Sequence, residues 1–502
     1  GVVSPQGEGG RPIRLEPVDV VIMNPPFTRQ ERIPQEYKEC LYRRFEEYGR
    51  YLQGQMGYHC YFIFLADRFL RPGGRMALVL PATVLRLGST QGVRDLLAER
   101  YHVEHIVTTL QRAAFSESAQ FREILLVARK LAEGEAPGGT RVSILRRLPS
   151  NLGEAERFAD AIKKGRGLGS MVIKDASSEE LRSIKDNMFR LIALSDPWLY
   201  DLWRELRGRG LIRFRDYLTE VGGRIIRGME LAGGEYNKLL ILRGKVKKTS
   251  RDVWSLAEER DDAIVARHVL TGEEVEIPRE AVLPALRRAA GIARINVGRE
   301  VDYLVVEGWE GESFESFKSL SGLGEGTIER LREHAEGRKG NLAIVWRMDL
   351  SAPGTKVLAF YSPTQLVPVK MMWSVLLHDR RARSLALWFN TSFHALQVLI
   401  ERVETRGAFI EIFKYILEDL MVPEPGGSVE MALLDLFEDI ASEDNPSLLE
   451  QMKTGYEPRR KLDATVLRSM GYRDGEIARL LRTLYPKLAG EIDLLKELMS
   501  GA

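Results

Sequence analysis

The stretch VDVVIMNPPF at residues 18–27 decides the fold of the first part of the chain. Its first six residues form a short apolar run whose length and β-branched composition predict a buried strand. The run then meets Asn24, Pro25, Pro26 and Phe27, and the prolines end the strand because they lack a backbone N–H and restrict the residue before them. Open α/β sheets bind ligands at the carboxyl ends of their strands, so these four residues are the first candidate site.

Strand and helix patterns continue to alternate up to residue 130, as in a doubly wound α/β sheet. We predict an aromatic, largely buried helix at about residues 58–70, ended by the Pro-Gly-Gly at 72–74. A buried strand at residues 75–80 follows. Ser89 or Thr90 is expected to cap a further helix.

Residues 103–109 and 123–129 predict two more strands. No convincing helical pattern separates them, so we expect them to pair antiparallel, because parallel neighbours need a longer crossover that is usually helical. Residues 131–140, LAEGEAPGGT, are rich in glycine, proline and acidic residues and predict a linker. We therefore place the first domain boundary there.

The whole sequence divides into four segments with different patterns. The first contains the α/β sheet, and the second is a mixed, mostly helical connector. The third is strand-rich with irregular loops, which favours a mixed α+β domain, and the fourth shows the apolar spacing of amphipathic helices. The predicted limits of these segments are 1–135, 141–215, 216–427 and 428–502.

The composition excludes several classes of protein. A chain of 502 residues with 44% hydrophobic and 29% charged residues is expected to form several globular domains. No apolar run approaches the roughly 20 residues that cross a bilayer, so we interpret the protein as cytoplasmic, without a membrane partner. Cys40 and Cys60 match no disulfide or zinc spacing, so we expect two buried thiols and no metal site.

The residue types at positions 24–27 suit methylation of an exocyclic amine. The lone pair of an adenine amine is delocalised into the ring, so a site must accept hydrogen bonds from the amine as its nitrogen becomes tetrahedral. The Asn24 side-chain oxygen and the Pro25 carbonyl can supply two such acceptors. Phe27 offers a flat face to a base swung out of a duplex, where stacking contributes roughly 1–3 kcal/mol. The alternative is a strand-ending turn with a buried phenylalanine.

These residues resemble the gamma-type N6-adenine DNA methyltransferases, which include type I modification subunits and fused type IIG enzymes. Residues 24–27 match the family motif (N/D)PP(Y/F), and FLRPGGRMALVLPATVL at 69–85 is similar to the family's next strand. The resemblance implies the C-terminal part of a Rossmann-like methyltransferase sheet, which transfers a methyl group from S-adenosylmethionine to a flipped adenine.

The segment AAFSESAQFREILLVARK at residues 113–130 is similar to the family's strand pair whose aromatic residue clamps the flipped base from the opposite face. Phe115 is the preferred match because of its place before the last strand, and Phe121 is the second choice. Ordinary core packing is the alternative role for either ring.

The second half of the chain resembles the target-recognition domain of the same family. VGGRIIRGMELAGGEYN at residues 221–237 is similar to the opening of that domain, and residues 387–425, which include Asn390, Thr391 and Ser392, are similar to its closing part. RRKLDATVLRSMGY at 459–472 is similar to a C-terminal helical element. The resemblance implies that residues 216–427 read double-stranded DNA.

The family's methyl-donor site is expected outside the residues discussed so far. In the family, S-adenosylmethionine lies on a glycine-rich turn after the first strand, and an acidic residue after the second strand holds its ribose. Both are expected before Asn24, where only 23 residues stand, and the glycine cluster at residues 7–10 follows no strand. We expect another segment or a separate subunit to bind the donor, and the chain to be inactive without it.

Local basic groups must supply contacts to DNA, because the formal net charge of +2 is nearly neutral. A charge run is more often a solvated face, so each group is a candidate only. The preferred group is Arg224, Arg227, Arg243, Lys245, Lys247, Lys248 and Arg251. The second group is Arg287, Arg288, Arg294 and Arg299.

Three other functions remain open at this point. The chain could be a non-catalytic DNA-specificity subunit of a restriction-modification or phage-defence system, although the intact residues 24–27 speak against a relic. It could methylate glutamine or RNA, since the same motif suits any planar amide or amine, but the long recognition-like region favours DNA. A nuclease is a third possibility, for which we find no acidic metal-binding cluster.

Overall fold

A computed structural model describes residues 16–28, 30–110, 115, 122–230, 236–244, 251–404 and 409–500. The chain forms two compact units. The first comprises the described residues up to Pro197 together with Val403, Glu404 and residues 497–500, and the second comprises Trp198–Arg402 and the described residues from 409 to Lys496. These units divide the chain differently from the four segments predicted from the sequence. In the described part of the chain, no helix is both long and apolar enough to cross a bilayer.

The first unit alternates strands and helices. Its strands are β1 Val18–Met23, β2 Leu70–Pro81, β3 Tyr101–Thr109, β4 Glu123–Lys130, β5 Thr140–Leu145 and β6 Met171–Ala176. Its α-helices are α1 Gln35–Arg44, α2 Tyr58–Phe69, α3 Gln91–Arg100, α4 Leu152–Lys164 and α5 Ser178–Ser183. Short 3-10 helices span Gln30–Arg32, Glu46–Tyr51, Ala82–Leu85, Gly88–Thr90 and Lys185–Leu191.

Six strands form one mixed sheet in the order β1-β2-β4-β3-β5-β6. β1 pairs parallel with β2, whereas β4 pairs antiparallel with both β2 and β3. The predicted α/β fold and the predicted antiparallel pair are therefore confirmed. The prediction that β1 is buried is wrong, because β1 is the edge strand of the sheet and its side chains are exposed or half-buried. Fully buried side chains such as Met76, Leu78 and Leu80 of β2 and Leu126 of β4 form the centre of the sheet's core.

The Pro-Gly-Gly at residues 72–74 has a different role from the predicted helix stop. α2 ends before it, at Phe69, and the three residues lie inside β2. The register of β1 against β2 shifts here, because Val18 pairs with Leu70 but Val20 pairs with Arg75. Gly73 has a φ of 79°, and a Cβ on Gly74 would lie 3.0 Å from the Asp19 carbonyl oxygen. The glycines thus allow a β-bulge rather than end the helix.

The predicted connector at residues 141–215 does not form a separate unit. β5 pairs parallel with β3, and β6 pairs antiparallel with β5, so both extend the first sheet. Phe158 and Ala161 of α4 pack in one buried cluster with Val107 of β3 and Leu145 of β5. The segment at 131–140 therefore joins two strands of one sheet, and the first unit continues past it to Pro197.

A buried carboxylate connects α2 to the sheet. Asp67 accepts hydrogen bonds from the hydroxyls of Tyr101 at 2.6 Å and Tyr48 at 2.8 Å, and it pairs with Lys130 at 3.0 Å. Burial alone would raise the pKa of Asp67, but the two tyrosine hydrogen bonds and the charge of Lys130 outweigh it, so the pKa lies below its usual value. Asp67 is therefore ionised at neutral pH and ties α2 to three other elements, the 3-10 helix at Glu46–Tyr51, β3 and β4.

The rest of the chain is built from many short strands and a set of helices. The strands are β7 Leu211–Arg213, β8 Arg224–Arg227, β9 Leu240–Leu242, β10 Trp254–Glu259, β11 Ala263–His268, β12 Glu274–Pro278, β13 Val282–Leu286, β14 Asp302–Val305, β15 Gly340–Val345, β16 Arg347–Met348, β17 Ala359–Pro368, β18 Met372–Leu376, β19 Val403–Glu404, β20 Ile410–Glu411 and β21 Met421–Pro423. The helices are α6 Pro197–Leu206, α7 Phe214–Val221, α8 Glu312–Ser321, α9 Thr327–Glu336, α10 Asp379–Trp388, α11 Ser392–Glu401, α12 Lys414–Asp419, α13 Ser428–Ile440, α14 Leu448–Thr454, α15 Glu457–Ser469 and α16 Asp474–Ser500.

The second unit is organised around a ten-stranded sheet in the order β12-β11-β10-β9-β14-β13-β17-β15-β18-β8. Every residue of α11 is buried, including the polar Ser392, His394, Gln397 and Glu401. The segment from 428 onward is helical, as the sequence predicts, and comprises α13 to α16. The strand-rich region and this helical tail share one compact unit.

Asn390, Thr391 and Ser392 form part of the buried framework of this unit. The Asn390 amide donates to the carbonyls of Ala359 and Ala386, both at 2.8 Å, and Thr391 caps α11 by accepting the His394 N–H at 3.0 Å. These contacts satisfy buried polar groups between β17, α10 and α11. These three residues therefore contribute to the packing of the second unit.

Candidate functional site

The four motif residues lie directly after β1, where the sequence places them. Asn24 is exposed, Pro25 is buried, Pro26 is exposed and Phe27 is half-buried. A buried proline fixes the turn, because its ring holds φ near −65° and its environment prevents movement. The Asn24 side chain is therefore presented to solvent from a rigid support. Its role as a hydrogen-bond acceptor remains a prediction.

Strand pairing brings Phe115 to the same edge of the sheet. Met23 at the end of β1 pairs with Leu78, and Pro81 at the end of β2 pairs with Glu123 at the start of β4. The end of β1 and the start of β4 thus lie at one edge, with one strand between them and about 10 Å between their axes. The Phe115 N–H donates to the buried Glu123 carboxylate at 2.8 Å, which fixes this half-buried residue beside β4. Phe121 lies outside the described residues.

His59 packs against the motif and was not singled out by the sequence. Its ring meets that of Phe27 edge to face, with 6.4 Å between centroids, and the neighbouring Tyr58 N–H donates to the Thr28 carbonyl at 3.3 Å. Burial lowers the pKa of His59 to about 4, so the imidazole is neutral at physiological pH. In an apolar helix, a histidine resembles any other core residue, and only the fold shows that it supports Phe27.

Arg94 of α3 holds the loop that follows β2 at this edge. Its guanidinium donates to the carbonyls of Val84 at 2.8 Å and Leu87 at 3.0 Å, and to the Thr90 hydroxyl at 2.8 Å. Burial lowers the pKa of Arg94 to about 10. Thr90 occupies the N-cap position of α3, but its hydroxyl donates to the Val84 and Leu87 carbonyls and does not cap the helix. The predicted capping interaction is therefore wrong, because the Thr90 hydroxyl is hydrogen-bonded to the carbonyls of the preceding loop.

The preferred basic group is only partly described. Arg224 is exposed, and no carboxylate of the described chain pairs with it. Arg227 lies 4.3 Å from the centre of the Trp346 ring and 3.4 Å from Glu230. Lys245, Lys247 and Lys248 lie outside the described residues.

Arg243 has its charge compensated within the second unit. Its guanidinium pairs with Glu259 and donates to the Val301 carbonyl at 3.1 Å. Arg279 also pairs with Glu259, at 3.1 Å, so two cations share one carboxylate. Hydrogen bonds from Tyr303 and Arg243 outweigh burial and lower the pKa of Glu259 to about 2, so the carboxylate is ionised at neutral pH. A contact from Arg243 to a phosphate would compete with this network.

One carboxylate brings the two basic groups together, although the sequence offered them as alternatives. Asp302 accepts the backbone N–H of Arg243 at 2.9 Å and that of Arg287 at 2.8 Å. Burial raises the pKa of Asp302 to about 6. Arg287 in turn pairs with Asp252 at 3.0 Å. Arg243 of the first group and Arg287 of the second therefore lie next to the same carboxylate.

The cysteines and acidic residues offer no metal centre in the ranges that the structure describes. Cys60 is buried, and burial raises the pKa of its thiol to about 12, so the thiol is protonated and unreactive. Cys40 is exposed, so the prediction of two buried thiols is wrong for this residue. It lies on α1, of which only Leu41 is buried.

The segment that builds this edge matches a known family. Residues 16–115 match the model described as Eco57I restriction-modification methylase. The resemblance to restriction-modification methyltransferases, predicted from residues 24–27, is thereby confirmed at the family level.

Comparisons with individual proteins give the extent of the similarity. Type II methyltransferase M.BanIII of Aneurinibacillus aneurinilyticus is 26% identical over 121 residues, which are 24% of this chain and 20% of that relative. The type IIG restriction endonuclease BpuSI has a TM-score of 0.42 at 15% identity, covering 96% of this chain and 54% of BpuSI. The type IIL enzyme MmeI, solved with DNA, has a TM-score of 0.46 at 11% identity, covering 94% of this chain and 57% of MmeI. The chain thus spans little more than half the length of these solved enzymes.

Proposed function

We propose that the chain is the catalytic and DNA-reading part of a site-specific DNA methyltransferase that modifies the N6 amine of adenine. The observation that carries this proposal is the position of Asn24. It is exposed at the carboxyl end of β1, within the segment that matches the methylase family, and beside Phe27. Phe115 is fixed at the same sheet edge by Glu123.

The chemistry of the proposed site follows from these positions. The Asn24 side-chain oxygen and the Pro25 carbonyl accept hydrogen bonds from the amine, which favours the tetrahedral nitrogen that forms as the amine reacts. Phe27 stacks on one face of the flipped adenine, and Phe115 closes the other face. His59 beside Phe27 is neutral, so it adds no charge near the base.

The methyl donor, S-adenosylmethionine, supplies a methyl group that is activated by a positive sulfur. The residues present do not fit this group: nowhere in the described part of the chain does a strand lead through a glycine-rich turn into a helix beside β1. The donor is therefore expected to bind to residues outside the described ranges or to a partner.

The free face of β1 supports a donor-binding partner. Val18, Val20 and Ile22 alternate along the strand and lie on one face, where they are 39%, 56% and 78% exposed. An apolar edge strand left in water is a hazard that proteins normally cover. We propose that the donor-binding segment or subunit covers this face and completes the sheet.

The second unit is proposed to read double-stranded DNA through residues 216–427. Arg224 is exposed and available to a phosphate, and Lys245, Lys247 and Lys248 remain predicted contacts. Phosphate contacts position a protein on the duplex without reading bases, so these residues set affinity and register rather than sequence preference.

The test is methyl transfer with the chain supplied with the donor-binding polypeptide of its own system. Duplex DNA and tritiated S-adenosylmethionine are added, and the DNA is digested for mass spectrometry of its nucleosides. N6-methyladenine in the wild-type digest supports the proposal. Label in cytosine, RNA or a protein amide contradicts it, and duplex binding without any transfer favours the non-catalytic specificity subunit.

A further inference from the structure

The helices α15 and α16 of the second unit enclose a groove of about 820 Å³ with a basic rim. The cationic side chains that line it are Arg460, Lys461, Arg468 and Arg482. Two carboxylates also line the groove, Glu457 at the start of α15 and Asp474 at the start of α16. The lining therefore has more positive than negative groups.

The spacing of the lining residues explains the shape of the groove. On α16 they recur at positions 474, 477, 478, 481, 482 and 485, which is one face of a helix. Ala464 of α15 and Ala478 of α16 are small, and Ile477 and Leu481 are 4% and 6% exposed. A shallow floor of small and already buried side chains thus lies between longer basic ones.

The four cations differ in whether they already have a partner. Lys461 pairs with Asp439 at 2.8 Å, and Arg468 pairs with Asp474 at 2.7 Å. Arg460 and Arg482 are exposed, and no carboxylate in the described ranges lies within ion-pair distance of either. A guanidinium presents a fork of N–H donors that matches the oxygens of a phosphate. Arg460 and Arg482 are therefore available to an anionic partner.

Contacts within the second unit link this groove to the second basic group. Asp444 pairs with Arg294 at 2.9 Å, and its carbonyl accepts the Tyr456 hydroxyl at 3.0 Å, immediately before α15. Arg288 and Arg299, in the same loop as Arg294, are exposed and form no ion pair among the described residues, although the charge of Arg288 acts on the buried Asp302. The loop between β13 and β14 and the start of α15 thus meet around Asp444.

We infer that the groove between α15 and α16 binds the phosphate backbone of the duplex, together with Arg288 and Arg299. This inference rests on the proposed function, because the partner is the DNA that the second unit is proposed to read. A protein segment would need exposed apolar anchors in the groove, and its lining contains no large exposed hydrophobic side chain. A phosphate backbone needs only the unpaired cations.

The test measures how the affinity of the full chain for a labelled duplex depends on salt. In the double variant Arg460→Gln/Arg482→Gln, the plot of log affinity against log salt should become less steep. The magnitude of its slope should fall by about 1.8, at about 0.9 for each lost contact. The charge-conserving variant Arg460→Lys with Arg482→Lys should keep the wild-type slope. Both positions are exposed, so neither variant removes a core contact.

The matched control is Arg473→Gln with Arg479→Gln. Both arginines are exposed at or near the start of α16, and neither lines the groove. The slope should be unchanged in this control. An unchanged slope in the Arg460 and Arg482 variant overturns the inference, and so does an equal fall in the control. If the wild-type chain binds no duplex at any salt concentration, the DNA-reading role of the second unit fails as well, which separates the two proposals.

Discussion

The proposed catalytic edge of the first unit and the basic surfaces of the second differ in how far adjacent residues determine their chemistry. At the edge, Asn24 follows β1 directly, and its position results from the pairing of β1 with β2. On the basic surfaces, Arg243 is compensated by Glu259, 16 residues away, and Arg294 by Asp444, 150 residues away. A local motif therefore predicts the first region, whereas the free charge of the second depends on tertiary contacts.

Replacing Asn24 has the largest expected effect, because the edge concentrates its chemistry in one side chain. Asn24→Ala should lower methyl transfer by the donor-supplied enzyme about 10²–10³-fold, the usual loss for one group that stabilises developing charge. Affinity for duplex DNA should change little, since the acceptor acts mainly as the amine reacts. Single-turnover transfer and duplex anisotropy measure the two quantities. A control on the same strand is Asp19→Asn, and near-normal turnover in Asn24→Ala would remove Asn24 from the mechanism.

The neighbouring strands β1 and β2 allow a comparison of how much an exposed and a buried side chain contribute to stability. Leu78 of β2 is fully buried, so Leu78→Ala should destabilise the first unit by about 3 kcal/mol. Ile22 of β1 is 78% exposed, so Ile22→Ala should cost less than about 0.5 kcal/mol in this chain and instead weaken association with the donor-binding partner. All seven tryptophans occur from Trp198 onward, so tryptophan fluorescence does not report on the unfolding of the first unit. The stability of that unit is measured instead by hydrogen exchange of β2 amides. A large loss from Ile22→Ala alone would mean that β1 is already covered.

The buried Asp67 gives the first unit a predictable response to acid. Its pKa in the folded state is lowered below that of the unfolded chain, near 3.9, so its stabilisation is complete above that pH and is lost as the pH falls through the folded value. Asp67→Asn should lower stability at pH 7 by about 1–3 kcal/mol and flatten the acid limb. Hydrogen exchange of β3 amides between pH 7 and pH 3 measures both. Asp160→Asn, at an exposed pair with Lys164, serves as the control, and an equal loss there would contradict the assignment.

The parts of the fold that follow local rules could be predicted from the sequence. The strand at β1, the antiparallel pair β3 and β4 and the helical tail all follow regular patterns, and each is confirmed. The burial predicted for β1 could not be judged from its composition, because it depends on whether another strand lies beside it. The boundary near residue 135 could not be placed, because whether β5 joins β3 depends on packing against Phe158 of α4 rather than on the linker's composition. The glycines at 73 and 74 were ambiguous for a similar reason, since both a helix stop and a bulge use glycine.

The candidate site shows the same limit. Asn24 and Phe27 follow from the motif, and Phe115 follows from its place before β4, although their roles remain predictions. His59 could not be found, because its position against Phe27 results from the contact between the loop after β1 and the start of α2. The contact of both Arg243 and Arg287 with Asp302 could not be predicted from the sequence either. A buried carboxylate that accepts hydrogen bonds from two distant backbone N–H groups leaves no sequence pattern.

The smallest expected effect compares an unpaired arginine with a compensated one on the second unit. Arg224 is exposed without a carboxylate partner in the described chain, so Arg224→Gln should lower the salt slope of duplex binding by about 0.9. Arg243 already pairs with Glu259, so binding a phosphate would require breaking that pair, and Arg243→Gln should leave the slope within error. Affinity for all sequences should fall about equally in Arg224→Gln, because phosphate contacts carry no base preference. Anisotropy titrations over a range of salt concentrations, with two unrelated duplexes, measure both effects. A lower slope for Arg243→Gln with no change for Arg224→Gln would show that tertiary pairing does not decide which arginines meet DNA.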